Sequence, residues 1–449
     1  MKRKLYDTLL NWKQTEKGAV ALMIEGARRT GKSWLVENFA KNEYRSHIIL
    51  DFTQVGDDIK NLFENHLDNL DTFFIYLQTL TGTKLYERNS VIVFDEVQFF
   101  PKARGAIKHL VADGRYDYLE TGSLVSIKKN TKDILIPSEE RQVKLYPMDF
   151  EEFLWALDDT LTMPFIANCF QKRIPLGPVH QKAMNLFRQY LIVGGMPQAV
   201  KRYVDEKNFV SVDRAKRDIL NLYRNDIQHY SDKLTEKITN IWDNLPGQLQ
   251  KHEKKFRLSS INSSARFRSY ETSFFWLQEA DIVNICYGAT EPSIGLGMKM
   301  DNLTLKLYMA DTGLLISHAF NERTIASEEL YKKLLTDKLE LNEGMFIENI
   351  VAQMLQASGH KLYFFSKYSK TDNSQNMEID FLISKDVITS RHNIIPIEVK
   401  SSNGYRLASL TKCLQKYHSY LTSPIVIHSN DLKIEDGITY IPLYMTPLL

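Results

Sequence analysis

The stretch Gly26-Ala27-Arg28-Arg29-Thr30-Gly31-Lys32-Ser33 restricts the fold of this chain more than any other. Its spacing, glycine, four residues, then Gly-Lys-Ser, fits the phosphate-binding loop pattern at every fixed position. Before it, "GAVALMIEG" is a short apolar run suited to a buried parallel strand; after it, "KSWLVENFAKN" sets Trp34, Leu35, Val36 and Phe39 at helical spacing. A strand, a glycine loop and a helix in that order make an anion site. The backbone N–H groups of Arg28 to Ser33 converge at a helix N-terminus, Lys32 reaches outer phosphates and the Ser33 hydroxyl is offered to Mg²⁺. Gly26 and Gly31 permit the turn and a close backbone approach. The expected ligand is a nucleotide, ATP, with Mg²⁺.

Such a site needs an acidic strand end facing the metal, and "SVIVFDEVQFF" supplies one. Val91 to Phe94 read as a strand, Asp95 as the residue that holds Mg²⁺ through water, and Glu96 as the base that polarises the attacking water. A further strand, "YDYLETGSLVSI", ends in Thr121, Gly122 and Ser123, where a sensing hydroxyl would lie between the two motifs. Strands alternate with helical segments, so the expected fold class is α/β, with a doubly wound parallel sheet of the P-loop NTPase type.

Together and in this order, "GARRTGKS", "VIVFDEVQ", "LETGSL" and "RQVKLYPMDFEEFLWAL" resemble the AAA-type ATPases of bacteria and archaea that join such a core to a C-terminal domain of unknown function. The resemblance implies nucleotide-site roles for Ser123 and Arg141. This chain departs from the family pattern at Glu140, where a glycine is usual, and at Leu124, the third position of the sensor triplet. Three readings of Arg141 stay open: charge stabiliser in cis, charge stabiliser in trans, or an exposed arginine opening a strand.

From Phe150 onward the patterning turns helical, and "YLIVGGMPQAV" and "LYRNDIQHY" resemble the helical lid of the same family. Next, "EKITNIWDNLPGQLQ", "SARFRSYETSFFWLQEADIVNICYGA" and "LTLKLYMADTGLL" read as helix, helix and hairpin, the order of a winged-helix module. Lys251, Lys254, Lys255, Arg257, Arg266 and Arg268 form a local basic stripe that suits DNA phosphates or a solvated face. The segment "KLYMADTGL" also matches a recurrent family pattern, through Lys306, Leu307, Tyr308, Asp311, Thr312, Gly313 and Leu314.

The last third carries a second constellation: Glu348 on the amphipathic "LNEGMFIENIVAQMLQAS", Asp380 on "NMEIDFLIS", and Glu398 and Lys400 on "IIPIEVKSS". Two such strands would pair as a hairpin, with Glu398 and Lys400 on one face. A carboxylate beside a Glu-x-Lys pair is the arrangement of PD-(D/E)xK phosphodiesterases. There Glu348, Asp380 and Glu398 would bind Mg²⁺ and Lys400 would activate water. The proline of the nominal motif is missing, with Met377 or Glu378 in its place. An active nuclease and an inactive scaffold of the same fold both stay open.

The expected organisation is an ATPase core at 1–150, a helical lid at 151–235, a winged-helix-like module at 236–322 and a restriction-endonuclease-like α/β domain at 323–449. Composition sets limits on partners. With 57 Lys and Arg against 55 Asp and Glu, net charge is +2, so a DNA-binding surface has to be local. Cys169, Cys286 and Cys413 lack metal-ligand spacing and read as buried thiols. No apolar run reaches the ~18 residues of a membrane span. A cytoplasmic, ATP-hydrolysing protein follows, with DNA as a candidate partner, no membrane, and an oligomer compatible with the sequence. Its rivals are an ATP-regulated metal-dependent nuclease and a non-hydrolysing nucleotide switch.

Overall fold

The computed structural model describes residues 1–123, 138–228, 232–251, 254–261, 265–321, 328–335, 344–385, 392–402 and 404–449. The chain divides into two compact units, Met1–Tyr146 and Pro147–Leu449.

In the first unit, α1 (Leu5–Glu16) precedes β1 (Ala21–Glu25), α2 (Lys32–Glu43), β2 (Ser46–Asp51), α3 (Asp57–Asn65), α4 (Leu70–Thr81), β3 (Ser90–Asp95), α5 (Pro101–Asp113), β4 (Asp117–Gly122) and β5 (Glu140–Lys144). The strands form one parallel sheet in the order β2-β3-β4-β1-β5. Both faces of a parallel sheet are covered, so its strands read as unbroken apolar runs. Period-two alternation sends their side chains to two separate cores. Ala21, Met23, Ile92 and Phe94 join Phe52, Phe63, Phe73 and Phe100 under α3 to α5. Leu22, Ile24, Val91 and Val93 meet Leu35, Val36 and Phe39 of α2, with Leu9 and Trp12 of α1. This strand order decides where the site forms. Since β4 lies between β1 and β3, whatever follows β4 stands between the glycine loop and the acidic strand end.

Glu140, the departure from the family's glycine, has a structural partner. Arg104 of α5 donates to both of its carboxylate oxygens, at 2.9 and 2.7 Å, with both side chains almost fully buried. Burial and the Glu140 carboxylate together push the neighbouring Glu120 carboxyl well above the usual range.

The second unit begins with α6 (Phe150–Ala156), α7 (Thr162–Lys172), α8 (His180–Val193), α9 (Pro197–Glu206), α10 (Phe209–Gln228), α11 (Asp232–Leu249) and α12 (Phe267–Glu279). Then come β6 (Val283–Ala289), β7 (Met300–Met309), α13 (Thr312–Ala319), α14 (Glu328–Leu335) and α15 (Gly344–Ala357). The chain ends through β8 (Tyr363–Lys367), β9 (Met377–Ser384), β10 (Ile394–Val399), α16 (Ala408–Tyr417), β11 (Ile425–His428), β12 (Lys433–Glu435) and β13 (Ile438–Pro442).

Here the structure differs from the expected modules. The β6–β7 hairpin is not a separate wing: β6 pairs in parallel with β8, and the eight strands run β12-β13-β11-β10-β9-β8-β6-β7. The expected lid, hairpin module and C-terminal domain lie within one compact unit. The physical reason is the edge of the sheet. The apolar strand β8 would expose its backbone groups at that edge, and β6 covers them.

The Gly-Gly-Met-Pro and Asp-Thr-Gly patterns explain each other. Buried Asp311 caps α13 by accepting from Leu314 N at 2.9 Å and also accepts from Gly195 N at 2.6 Å. A Cβ on Gly195 would lie 2.1 Å from Met148 O, so only glycine fits this contact.

Candidate nucleotide site and C-terminal carboxylate cluster

The chain turns as soon as β1 ends at Glu25. Gly26 has φ 151°, and an added Cβ would lie 2.4 Å from Leu145 O, so no side chain fits where the loop leaves the sheet. Gly31, at φ 93°, caps α2, and Arg29 also has positive φ, at 70°. Successive residues of such a loop present backbone N–H groups to one concavity, and Arg28 lies within it. Thr30 is fully buried; its hydroxyl donates to Ala27 O at 2.9 Å. Its carbonyl accepts from Arg3 Nη1 at 2.7 Å, while Arg3 Nη2 reaches Tyr146 O at 2.6 Å. Arg3 thus braces the loop, a role with no local signal in the sequence. Lys32 is buried, and its ammonium donates to the carbonyls of Gly26 and Ala27 at 2.9 and 3.0 Å.

Asp95 ends β3 and is 8% exposed. Its Oδ1 accepts from Ser33 Oγ at 2.9 Å and from the Thr121 hydroxyl. Thr121 Oγ1 in turn accepts from Glu96 N at 3.1 Å, so one hydroxyl ties both acidic residues together. Burial pushes the Asp95 carboxyl up; the Thr121 and Ser33 hydroxyls oppose this, and the charges of Glu96 and Asp51 add to it. Glu96 sits at φ 54°, a left-handed conformation that costs a non-glycine residue about 1–2 kcal/mol. Its carboxylate accepts from Gln98. Hard oxygen donors suit Mg²⁺, and the Ser33 hydroxyl against the Asp95 carboxylate is such a donor pair.

Two further expected residues, Ser123 and Arg141, do not make the contact to Asp95. Ser123 follows β4 and is buried, but the hydroxyl on Asp95 belongs to Thr121, two residues earlier. Arg141 lies on β5 opposite Leu22, near the start of β1 and away from the loop. Its half-exposed guanidinium pairs with Glu16 at 2.8 Å, so the structure does not bring it to the site. Leu124 lies outside the described residues.

In the second unit β9 and β10 pair antiparallel, as expected, with Ile397 opposite Phe381. Val399 N donates to Asp380 Oδ2 at 2.8 Å, and Lys400 Nζ pairs with Glu398 Oε2 at 2.5 Å. Glu348 of α15 is buried beside them, and sequence reasoning missed what it meets. Lys306 of β7, 1% exposed, lies 3.4 Å from Glu348 Oε1, 2.9 Å from Glu378 Oε1 and 3.8 Å from Asp380 Oδ1. Lys254 pairs with Glu348 Oε2, and Tyr308 donates to Glu348 Oε1. Burial alone would raise Glu348, but the Lys306 and Lys254 ammonium groups hold it down to about 2. Glu398 goes the other way: burial and the charge of Asp380 push it up to about 7.

Lys254 therefore turns away from the basic stripe read as a DNA-facing surface. Arg266 and Arg268 of that stripe are exposed at the start of α12, whereas Tyr270 is buried. Cys169, Cys286 and Cys413 are free and buried. Among the described residues, no helix is long and apolar enough to cross a membrane, and no group of three or more His, Cys, Asp or Glu is arranged to hold a metal ion.

Residues 19–154 match the family described as "AAA domain". Residues 184–324 and 343–446 match two families described as domains of unknown function, DUF8612 and DUF4143. No match is found among curated proteins. Similar solved structures include the Walker-type ATPase PABY2304 of Pyrococcus abyssi, 12% identical, with 71% of this chain and 95% of that one covered at TM-score 0.40. AMPPCP-bound DnaA from Aquifex aeolicus is 12% identical, with 63% and 89% covered at TM-score 0.29. Cdc6p from Pyrobaculum aerophilum is also 12% identical, with 75% and 93% covered at TM-score 0.24. Residues 19–154, which match the AAA domain family, hold the parallel sheet and the glycine loop between β1 and α2.

Proposed function

We propose that this protein binds ATP with Mg²⁺ at the first unit and hydrolyses it to ADP and phosphate. The observation that carries the reading is the Thr121 hydroxyl, which joins Asp95 and Glu96 on one side while Ser33 of the glycine loop holds Asp95 on the other. The loop N–H groups bind phosphate oxygens, and Lys32 neutralises their charge. Ser33 and Asp95 would hold Mg²⁺, which when bound supplies positive charge to the phosphate oxygens. Glu96 takes the proton of the attacking water, its carboxylate aimed by the left-handed backbone and the bond to Thr121. Asp95, Ser33 and Thr121 are already joined, so the chain has little to reorganise before reaction.

A calorimetric titration of the full chain with ATP and Mg²⁺ tests the binding half. Saturable binding that disappears in folded Lys32→Ala is expected, because the ammonium on the phosphates is gone. Equal affinity in the two proteins would remove the loop from the account.

The nuclease-like reading of the last third is supported by the order of its parts: a helix bearing Glu348, a hairpin bearing Asp380 and Glu398-x-Lys400, then α16 and β11. A fold of that kind carries no activity by itself. The role we propose for this unit is that of a packed scaffold, not a phosphodiesterase.

A further inference from the structure

Carboxylates from three elements converge in the second unit, and a divalent ion is the usual device for holding such groups together. Here the residues do not fit one. Both oxygens of Glu348 are engaged, Oε1 by Tyr308 and Lys306 and Oε2 by Lys254. Asp380 Oδ2 accepts from Val399 N, and its Oδ1 lies 3.8 Å from the Lys306 ammonium, an ion-pair distance. Glu378 takes the shortest contact to Lys306, at 2.9 Å. Among the four carboxylates only Glu398 keeps a buried oxygen, Oε1, without a hydrogen-bond partner, and the Lys306 ammonium, already within 3.8 Å of the other three, repels a second cation there.

The cation is supplied by the chain itself. Lys306 is 1% exposed, its ammonium faces three carboxylates, and it stands 5.0 Å over the Phe364 ring, so solvent does not share its charge. It arrives from β7, the edge strand that lies next to β6 and not next to the hairpin carrying Asp380 and Glu398. We propose that the Lys306 ammonium is the resident cation of this carboxylate cluster, standing where a divalent ion would otherwise bind, and that the unit thereby retains a nuclease-like framework while excluding metal-dependent phosphodiester cleavage.

Two changes follow for a metal probe. Wild-type protein has no vacancy for a divalent ion at the cluster, so removing Asp380 should remove no bound ion. Replacing Lys306 by an apolar side chain of similar length leaves carboxylates without their cation, and a divalent ion should take its place.

The test is a Mn²⁺ titration of the full chain without nucleotide, read by the loss of the free-ion electron paramagnetic resonance signal, so that any ion held by Ser33 and Asp95 is common to every protein compared. Wild type and Asp380→Asn should bind the same number of Mn²⁺ ions. Lys306→Met should bind one more per chain, and Lys306→Met with Asp380→Asn should lose it again. A wild-type ion that Asp380→Asn removes would overturn the proposal, and so would folded Lys306→Met that gains none. Should Lys306→Met fail to fold, the wild-type comparison with Asp380→Asn still decides, since a metal at the cluster would appear there as a lost ion.

Discussion

Replacing Thr121 by Val keeps the size and β-branching of the side chain and removes only the hydroxyl. In the structure that hydroxyl donates to Asp95 Oδ1 and accepts from Glu96 N, so the substitution strips one donor from a buried carboxylate and loosens the left-handed turn at Glu96. A hydrogen bond to a charged group contributes about 1.5–3 kcal/mol. If that stabilisation is expressed in the reacting state, turnover should fall roughly tenfold to a hundredfold, at about 1.4 kcal/mol per decade. The pH profile distinguishes this from simple damage. Burial already raises Asp95, and the Thr121 hydroxyl favours its charged form, so its loss raises the carboxyl further. The acid limb of kcat should therefore move to higher pH in Thr121→Val, with the deficit greatest at low pH and shrinking as pH rises. Thr121→Ser, which keeps the hydroxyl, should stay near wild type. The assay is steady-state phosphate release between pH 5 and 9 at saturating ATP. An unshifted acid limb with full turnover would refute the coupling of Thr121 to Asp95.

Two further predictions concern stability. Glu398 is raised by burial from 4.5 to about 7, so its protonated form suits the fold; its contribution is fully present below the unfolded value of 4.5 and is lost as pH rises through about 7. At about 1.4 kcal/mol per pH unit, roughly 3 kcal/mol should be lost across that window, and Glu398→Gln should flatten the melting temperature against pH there. Glu348, held down to about 2, acts with the opposite sign: its contribution is fully present above its ordinary 4.5 and is lost as pH falls through about 2. Arg104→Met should destabilise by about 3–5 kcal/mol, seen as a lower urea midpoint, because it leaves the buried Glu140 carboxylate without its bidentate partner. A change below 1 kcal/mol would show that water reaches this pair.

The glycine loop and the acidic strand end proposed to hold a nucleotide were legible as local structure because they are short contiguous strings. Gly26 to Ser33 and Asp95-Glu96 each carry their chemistry within a few residues, and the apolar runs beside them fix strand and helix. The choice between Thr121 and Ser123 was not legible, since it depends on which residue of β4 faces Asp95, a matter of register. Arg141 was placed by motif alone, while its position along β5 takes it toward Glu16. In the second unit the carboxylates were legible and their counter-charges were not. Lys306 reads as one letter of a strand pattern until β7 is seen to be the sheet's edge, and Lys254 reads as part of a basic run until it meets Glu348. The hairpin looked like a wing because hydrophobic alternation reports that a strand exists, not which strand it pairs with.

The most direct test of Mg²⁺-dependent ATP hydrolysis at the first unit is single-turnover cleavage of bound ATP by the full chain, wild type against Glu96→Gln. Glu96→Gln keeps the loop, Lys32, Ser33 and Asp95, so ATP should still bind while its hydrolysis slows by roughly two to four decades, the usual scale for losing a general base. Chelating the Mg²⁺ should stop cleavage in both proteins. Equal single-turnover rates in wild type and Glu96→Gln would contradict the account, since the water would then be activated somewhere other than at the end of β3.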